Sequence, residues 1–100
     1  MPYAEPLTDD EISERLSQLP GWERDGDSIT KTYRSRFVDG LAIITRAVVA
    51  MEVMNHHADM VYMFGSVRFT ITTHAADHKI TGKDMDLAEK IEKAAQGLTR

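Results

Sequence analysis

The chain has no cysteine among its 100 residues. That excludes disulfides and thiolate metal sites, and it fits a reducing cytoplasm. It also lacks an 18-residue apolar run and a basic stretch leading into an apolar one at its start, so no membrane partner is expected and the expected location is cytoplasmic. A basic surplus is missing too. Lys and Arg number 12 against 16 Asp and Glu, a net charge of −4, which removes the electrostatic footprint of a direct nucleic-acid binder. Repeats, low-complexity tracts and linkers are absent. With 42% hydrophobic residues, the chain can build one core, so residues 1–100 are expected to form a single domain, with 1–6 as a disordered lead.

What is present is unevenly spread. Eight acids (Glu5, Asp9, Asp10, Glu11, Glu14, Glu23, Asp25 and Asp27) fall within the first 27 residues, against Arg15 and Arg24, which predicts a solvated acidic face there. Thr8 and Glu11 have capping-box spacing at the start of a short amphipathic helix through Ile12, Leu16 and Leu19, stopped by Pro20-Gly21. Asp25-Gly26 between two strand-like runs predicts a hairpin. Asp39 is expected to cap a helix from about Gly40 to His56, apolar around most of its circumference. Such a helix is either central to the core or also buried at a subunit interface. Met60–Phe64 and Val67–Thr73 predict a second hairpin around Gly65-Ser66, with Val67, Phe69 and Ile71 on one face. Thr81 and Asp84 repeat the capping logic ahead of a last helix whose buried stripe is Met85, Ala88, Ile91, Ala95 and Leu98. The expected fold is α+β in two layers: a four-stranded antiparallel sheet made of two hairpins, with three helices packed on one face.

Three histidines carry the chemical interest. His56 and His57 are expected in the last turn of the long helix, where orphan carbonyls favour an imidazolium. Glu52, four residues before His56, would share its face and pair with it. His74, seventeen residues past His57, is expected to end the second strand of the hairpin, close to where that hairpin began. An imidazole titrates near pH ~6.5, so three such rings in one cleft suit acid–base chemistry. Two plainer readings stand beside it. A histidine at a helix end often serves only to satisfy the terminus, and three histidines could ligate zinc. Adjacent histidines rarely face one ion, however, and i,i+4 ligand spacing is absent. Asp86, Glu89 and Glu92 read as a solvated helix face, His78 as an exposed loop residue, and Met51, Met54, Met60, Met63 and Met85 as core filler.

Glu52-Val53-Met54-Asn55-His56-His57, then Thr72-Thr73-His74, then Thr81-Gly82-Lys83-Asp84-Met85-Asp86-Leu87-Ala88 resembles the pterin-4a-carbinolamine dehydratases over nearly the whole chain. Phe64 takes the family's aromatic position. The chain differs from the pattern at Ala58, where proline follows the His pair, at Met60, and in the loop 75–79, which is one residue longer and lacks glycines. The resemblance implies a hydro-lyase that removes water from 4a-hydroxytetrahydropterins to give quinonoid dihydropterin, in tetrahydrobiopterin recycling, without metal or other cofactor. It implies His56, His57 and His74 as catalytic residues, with His57 and His74 as the acid–base pair. It implies Glu52, Asn55, Ala58, Thr73 and Asp84 as supporting or substrate-binding residues, with Glu52 acting on His56 and Asp84 on the loop after His74. The partners implied are a pterin substrate and further copies of the chain, as a homodimer or homotetramer held through the apolar helix. The alternative within the same fold is a non-catalytic dimerisation or assembly factor.

Overall fold

The structure, a computed structural model, describes residues 5–100, and most of the lead expected over 1–6 lies outside that range. Pro6 pairs with Thr81 in an isolated bridge, and the Leu7 N–H donates to the Ile80 carbonyl at 2.8 Å. Helix α1 (Asp9–Leu16) begins with the expected capping box of Thr8 and Glu11. Strands β1 (Glu23–Asp25) and β2 (Ser28–Arg34) follow, then α2 (Phe37–Met54), β3 (Asp59–Met63), β4 (Ser66–Ile71) and α3 (Gly82–Ala95). The four strands form one antiparallel sheet in the order β1-β2-β4-β3, so β2 and β4 are central and each hairpin contributes one edge.

The first hairpin turns one residue later than predicted. Asp25 pairs with Ser28, which leaves Gly26-Asp27 as the loop, and Gly26 has φ +61. Only the first loop position needs positive φ, so glycine occupies it and the following aspartate stays in an ordinary conformation. The second hairpin turns one residue earlier than predicted, at Phe64-Gly65, with Ser66 already paired to Met63. Asp39 does not cap α2. The helix begins two residues before it, Arg36 occupies the cap with no side-chain bond, and Asp39 instead accepts from the Arg36 guanidinium at 2.9 Å.

Burial follows the strand period. Ile29 and Tyr33 of β2 and Val67, Phe69 and Ile71 of β4 face the helices in one cluster with Ile43, Ala47 and Met51 of α2 and Met85, Leu87, Ala88 and Ile91 of α3. Gly40 allows the close approach of α2 to the sheet: a Cβ there would stand 2.9 Å from the Tyr62 ring and 3.0 Å from Val67 Cγ2. Only one stripe of α2 enters this core. Phe37, Val38, Leu41, Val49 and Val53 are exposed, as are Met60 and Met63, which are therefore not core filler. Glu92 is no solvated residue either. Its Oε1 accepts from Trp22 Nε1 at 2.9 Å, Lys31 Nζ at 2.5 Å and the Tyr33 hydroxyl at 2.6 Å, tying α3 to β2. Asp86 pairs with Arg15 of α1 at 3.0 Å.

Candidate active site

The histidine pair lies beyond α2 rather than in its last turn. The helix ends at Met54, and Asn55 takes a left-handed conformation with φ 52, a cap that asparagine tolerates better than any residue but glycine. The His56 N–H then donates to the Met51 carbonyl at 3.0 Å. This reversal separates the two rings: His56 is buried and His57 is exposed. Because the helix stops short, the i,i+4 relation between Glu52 and His56 does not exist. Glu52 meets His57 instead, with Oε2 3.1 Å from Nε2.

His56 is held by Asp84, whose Oδ1 lies 2.6 Å from its Nε2. Asp84 reaches this position because it is the third residue of α3 and half of the capping box with Thr81. It is fully buried, and its remaining oxygen accepts from the Thr81 N–H at 2.9 Å and the Thr73 hydroxyl at 3.0 Å. With the Thr73 proton committed to Asp84, the Thr81 hydroxyl donates to Thr73 across 2.7 Å and itself accepts from the Lys83 N–H. Every buried polar atom of this network is satisfied, and chains of this kind strengthen one another in a low-dielectric setting. An ionised carboxylate only accepts, so Nε2 of His56 carries the hydrogen of its bond to Asp84.

His74 does not end β4, which stops at Ile71. It opens a single 3-10 turn, His74–Ala76, and is exposed. A cleft of about 480 Å³ is lined by Asn55, His56, His57, Thr73 and His74, together with Asp59, Thr72, Ala75 and Lys83. That size falls in the usual range of small-molecule sites, roughly 300–1,000 Å³. All three histidines therefore meet in one cavity, two open to solvent and one buried.

Of the expected supporting residues, Asn55 and Thr73 line the cleft. Asp84 lies beneath it, attached to His56 and Thr73 rather than to the loop after His74. Ala58 is buried in the core cluster. Glu52 is at the surface beside His57. Phe64 is not at the cleft: it caps the far end of the β3–β4 hairpin, stacked on Phe37 with ring centroids 6.1 Å apart. Sequence reasoning passed over Asp59 and Lys83 as lining residues. Lys83 carried a usable signal, because a cation in the first turn of a helix opposes the helix dipole and needs another reason to be there. Among the described residues no three His, Asp or Glu side chains stand close enough together to hold a metal ion, and no helix is long and apolar enough to cross a membrane.

Comparison with known proteins gives the chain a family. The family model described as pterin 4 alpha carbinolamine dehydratase matches residues 5–94. A Streptomyces coelicolor protein that carries the name pterin-4-alpha-carbinolamine dehydratase as a provisional assignment is 36% identical over 96 residues, which covers 94% of each chain. A similarly named Mycobacteroides abscessus protein is 39% identical over 87 residues, covering 86% of this chain and 92% of its own. A crystal structure described as a transcriptional coactivator/pterin dehydratase from Brucella melitensis superimposes with a TM-score of 0.85 at 26% identity, covering 90% of this chain and 98% of that one. With nine-tenths of its length matched by that family model, the chain belongs to the pterin 4 alpha carbinolamine dehydratase family.

Proposed function

We propose that the protein dehydrates 4a-hydroxytetrahydropterins by histidine acid–base catalysis in the 56–57–74 cleft, in the recycling of tetrahydrobiopterin in the cytoplasm. The observation that carries this reading is the division of labour among the rings: His56 fixed by a buried carboxylate, His57 and His74 open to solvent on the same cavity. In the reaction the C4a–O bond breaks as the leaving hydroxyl takes a proton and departs as water. The N5–H proton is removed, and its electron pair closes the C4a=N5 bond of the quinonoid product. One ring gives a proton and another takes one. General acid–base catalysis of this kind contributes about 10²–10⁴-fold. His57 and His74 are assigned the transfers. His56, whose Nε2 is taken by Asp84, binds the substrate and orients the leaving hydroxyl through its other ring nitrogen.

An ultraviolet assay of 4a-hydroxytetrahydropterin dehydration tests the reading. Wild type should exceed buffer by at least about 10²-fold and His74→Ala should lose most of that gain. A wild type no faster than buffer would turn the assignment toward the non-catalytic reading. That second reading draws on the coactivator part of the Brucella protein's description and on the exposed apolar residues of α2 and β3. Those residues (Val38, Leu41, Val49 and Val53 on α2, Val61 and Met63 on the edge strand β3) also support a homodimer or homotetramer, in which copies of the chain cover them. Light scattering checks this: wild type should elute as an oligomer and Leu41→Glu as a smaller species.

A further inference from the structure

His78 has no place in the chemistry so far, yet the chain holds it in an unusual way. Residues 73–79 form a loop closed on itself. The Thr73 N–H donates to the Lys79 carbonyl at 3.0 Å, and Thr73 and Lys79 pair as an isolated bridge. The N–H groups of Ala76 and His78 both donate to the Thr73 carbonyl at 3.1 Å, and that of Asp77 donates to the His74 carbonyl at 3.1 Å. Reversing the chain in so short a span places two consecutive residues, Asp77 and His78, at φ 59. Glycine would adopt this conformation freely; aspartate and histidine enter it more readily than most side chains, but still at a cost. Backbone strain of this sort concentrates where the surrounding structure needs a particular side chain in a particular place.

What the strained position delivers is a ring. The His78 imidazole packs on that of His74, centroids 4.6 Å apart and planes tilted by 54°. Among the described residues no hydrogen bond or ion pair fixes the His74 ring, which is exposed. His56 is held by Asp84 and His57 touches Glu52, so His74 is the one ring of the cleft whose orientation depends on packing alone. A solvent-exposed side chain otherwise samples several staggered wells, and proton transfer requires a nitrogen about 2.6–3.2 Å from its partner.

We propose that His78 is a positioning residue: its ring is the wall against which His74 is held at the cleft mouth. The inference rests on the dehydratase reading.

The test compares His78→Asn with His78→Phe. Asparagine tolerates the left-handed backbone and removes the ring. Phenylalanine restores a flat ring without imidazole chemistry. The expected result for His78→Asn is a kcat about tenfold lower with KM within about twofold, because orientation and not ground-state binding is lost. Its melting temperature should match or exceed that of wild type, which a merely structural role would not allow. His78→Phe should recover kcat to within about threefold of wild type. By NMR, the His74 ring protons should be shifted by the ring current of residue 78 in wild type and in His78→Phe, and return toward ordinary values in His78→Asn. An unchanged kcat in His78→Asn, or a His78→Phe no better than His78→Asn, overturns the inference while leaving the dehydratase reading intact. A wild type no faster than buffer overturns the reading itself, and the inference with it.

Discussion

Helix α3 carries two carboxylates that each gather three donors, and they serve different ends. Asp84, in the first turn, takes His56, Thr73 and the Thr81 N–H, and is fully buried. Glu92, eight residues on and about 12 Å along the helix axis, takes Trp22, Lys31 and Tyr33 and is partly open to solvent. Asp84 welds α3 to the segments that follow α2 and β4, and Glu92 welds it to β2. Only the first passes its order to a side chain in the cleft. A carboxylate with three donors is a structural device, and it becomes a functional one only where one of the donors reaches substrate.

The largest effect should come from breaking the buried cluster. Asp84→Asn keeps the shape but turns an acceptor into a donor that faces the Thr81 N–H or the His56 Nε2–H. Hydrogen bonds to a charged acceptor are worth about 1.5–3 kcal/mol each, and the variant loses one or more while setting a buried donor against a donor. Urea unfolding should show a loss of that order, with kcat/KM down at least about tenfold as His56 loses its anchor. If the variant stays as stable as wild type, the three-donor arrangement is not what holds this end of α3.

Thr73→Val tests the middle of the same network. It removes the hydroxyl that donates to Asp84 and accepts from Thr81, and leaves the Thr81 hydroxyl buried without an acceptor. An unsatisfied buried group of this kind costs about 1–3 kcal/mol. The stability loss should be smaller than for Asp84→Asn, since His56 keeps its partner, and activity should fall less.

Glu92→Gln should sharpen the contrast by separating stability from activity. A loss of about 1–2 kcal/mol is expected, with kcat and KM unchanged. Its pH dependence follows from the charge. Burial pushes the Glu92 carboxyl up, but the donors Lys31, Tyr33 and Trp22 together outweigh it and hold the group below its ordinary value. A carboxyl depressed on folding stabilises the native state above the unfolded-state pKa of about 4.5 and loses that contribution as pH falls through the folded value. The stability gap between wild type and Glu92→Gln should therefore narrow below about pH 4.5. At the alkaline end, burial first and then Glu92 raise the Tyr33 phenol above its ordinary range. The folded state resists its ionisation, so wild-type stability should fall as pH rises past about 10. Denaturant titrations across pH read both edges.

These two clusters also mark what was legible in the sequence. Capping signals are local, so Thr8 with Glu11 and Thr81 with Asp84 could be read from a spacing of three. The period-2 pattern of Val67, Phe69 and Ile71 gave the buried face of β4. The partner of Asp84 could not be read, because His56 is 28 residues away and meets it only after Asn55 reverses the chain. Glu92 looked like a solvated residue because its helix-surface spacing matches that of Asp86 and Glu89. Its donors come from β2 and from Trp22 beyond α1, which no helical period reveals. The hairpin turns slipped by one residue for a similar reason. Asp25-Gly26 and Gly26-Asp27 are equally good local signals, and only the pairing of Arg24 with Ile29 and Asp25 with Ser28 distinguishes them.

The smallest effect should come from the third carboxylate near the cleft, Glu52. It shares an imidazole partner with Asp84 in kind but not in setting. Side-chain exposures are 71% for Glu52 and 58% for His57, against 0% for Asp84 and 9% for His56. Water screens the outer pair, and exposed ion pairs contribute about 0–1 kcal/mol. Glu52→Gln should thus shift stability by less than about 0.5 kcal/mol. Any change should appear in kcat, by a few-fold at most, through the freedom it gives the His57 ring. A stability loss as large as that of Thr73→Val would show that the Glu52–His57 pair is sheltered in the working protein, as it would be if another copy of the chain covered this end of α2.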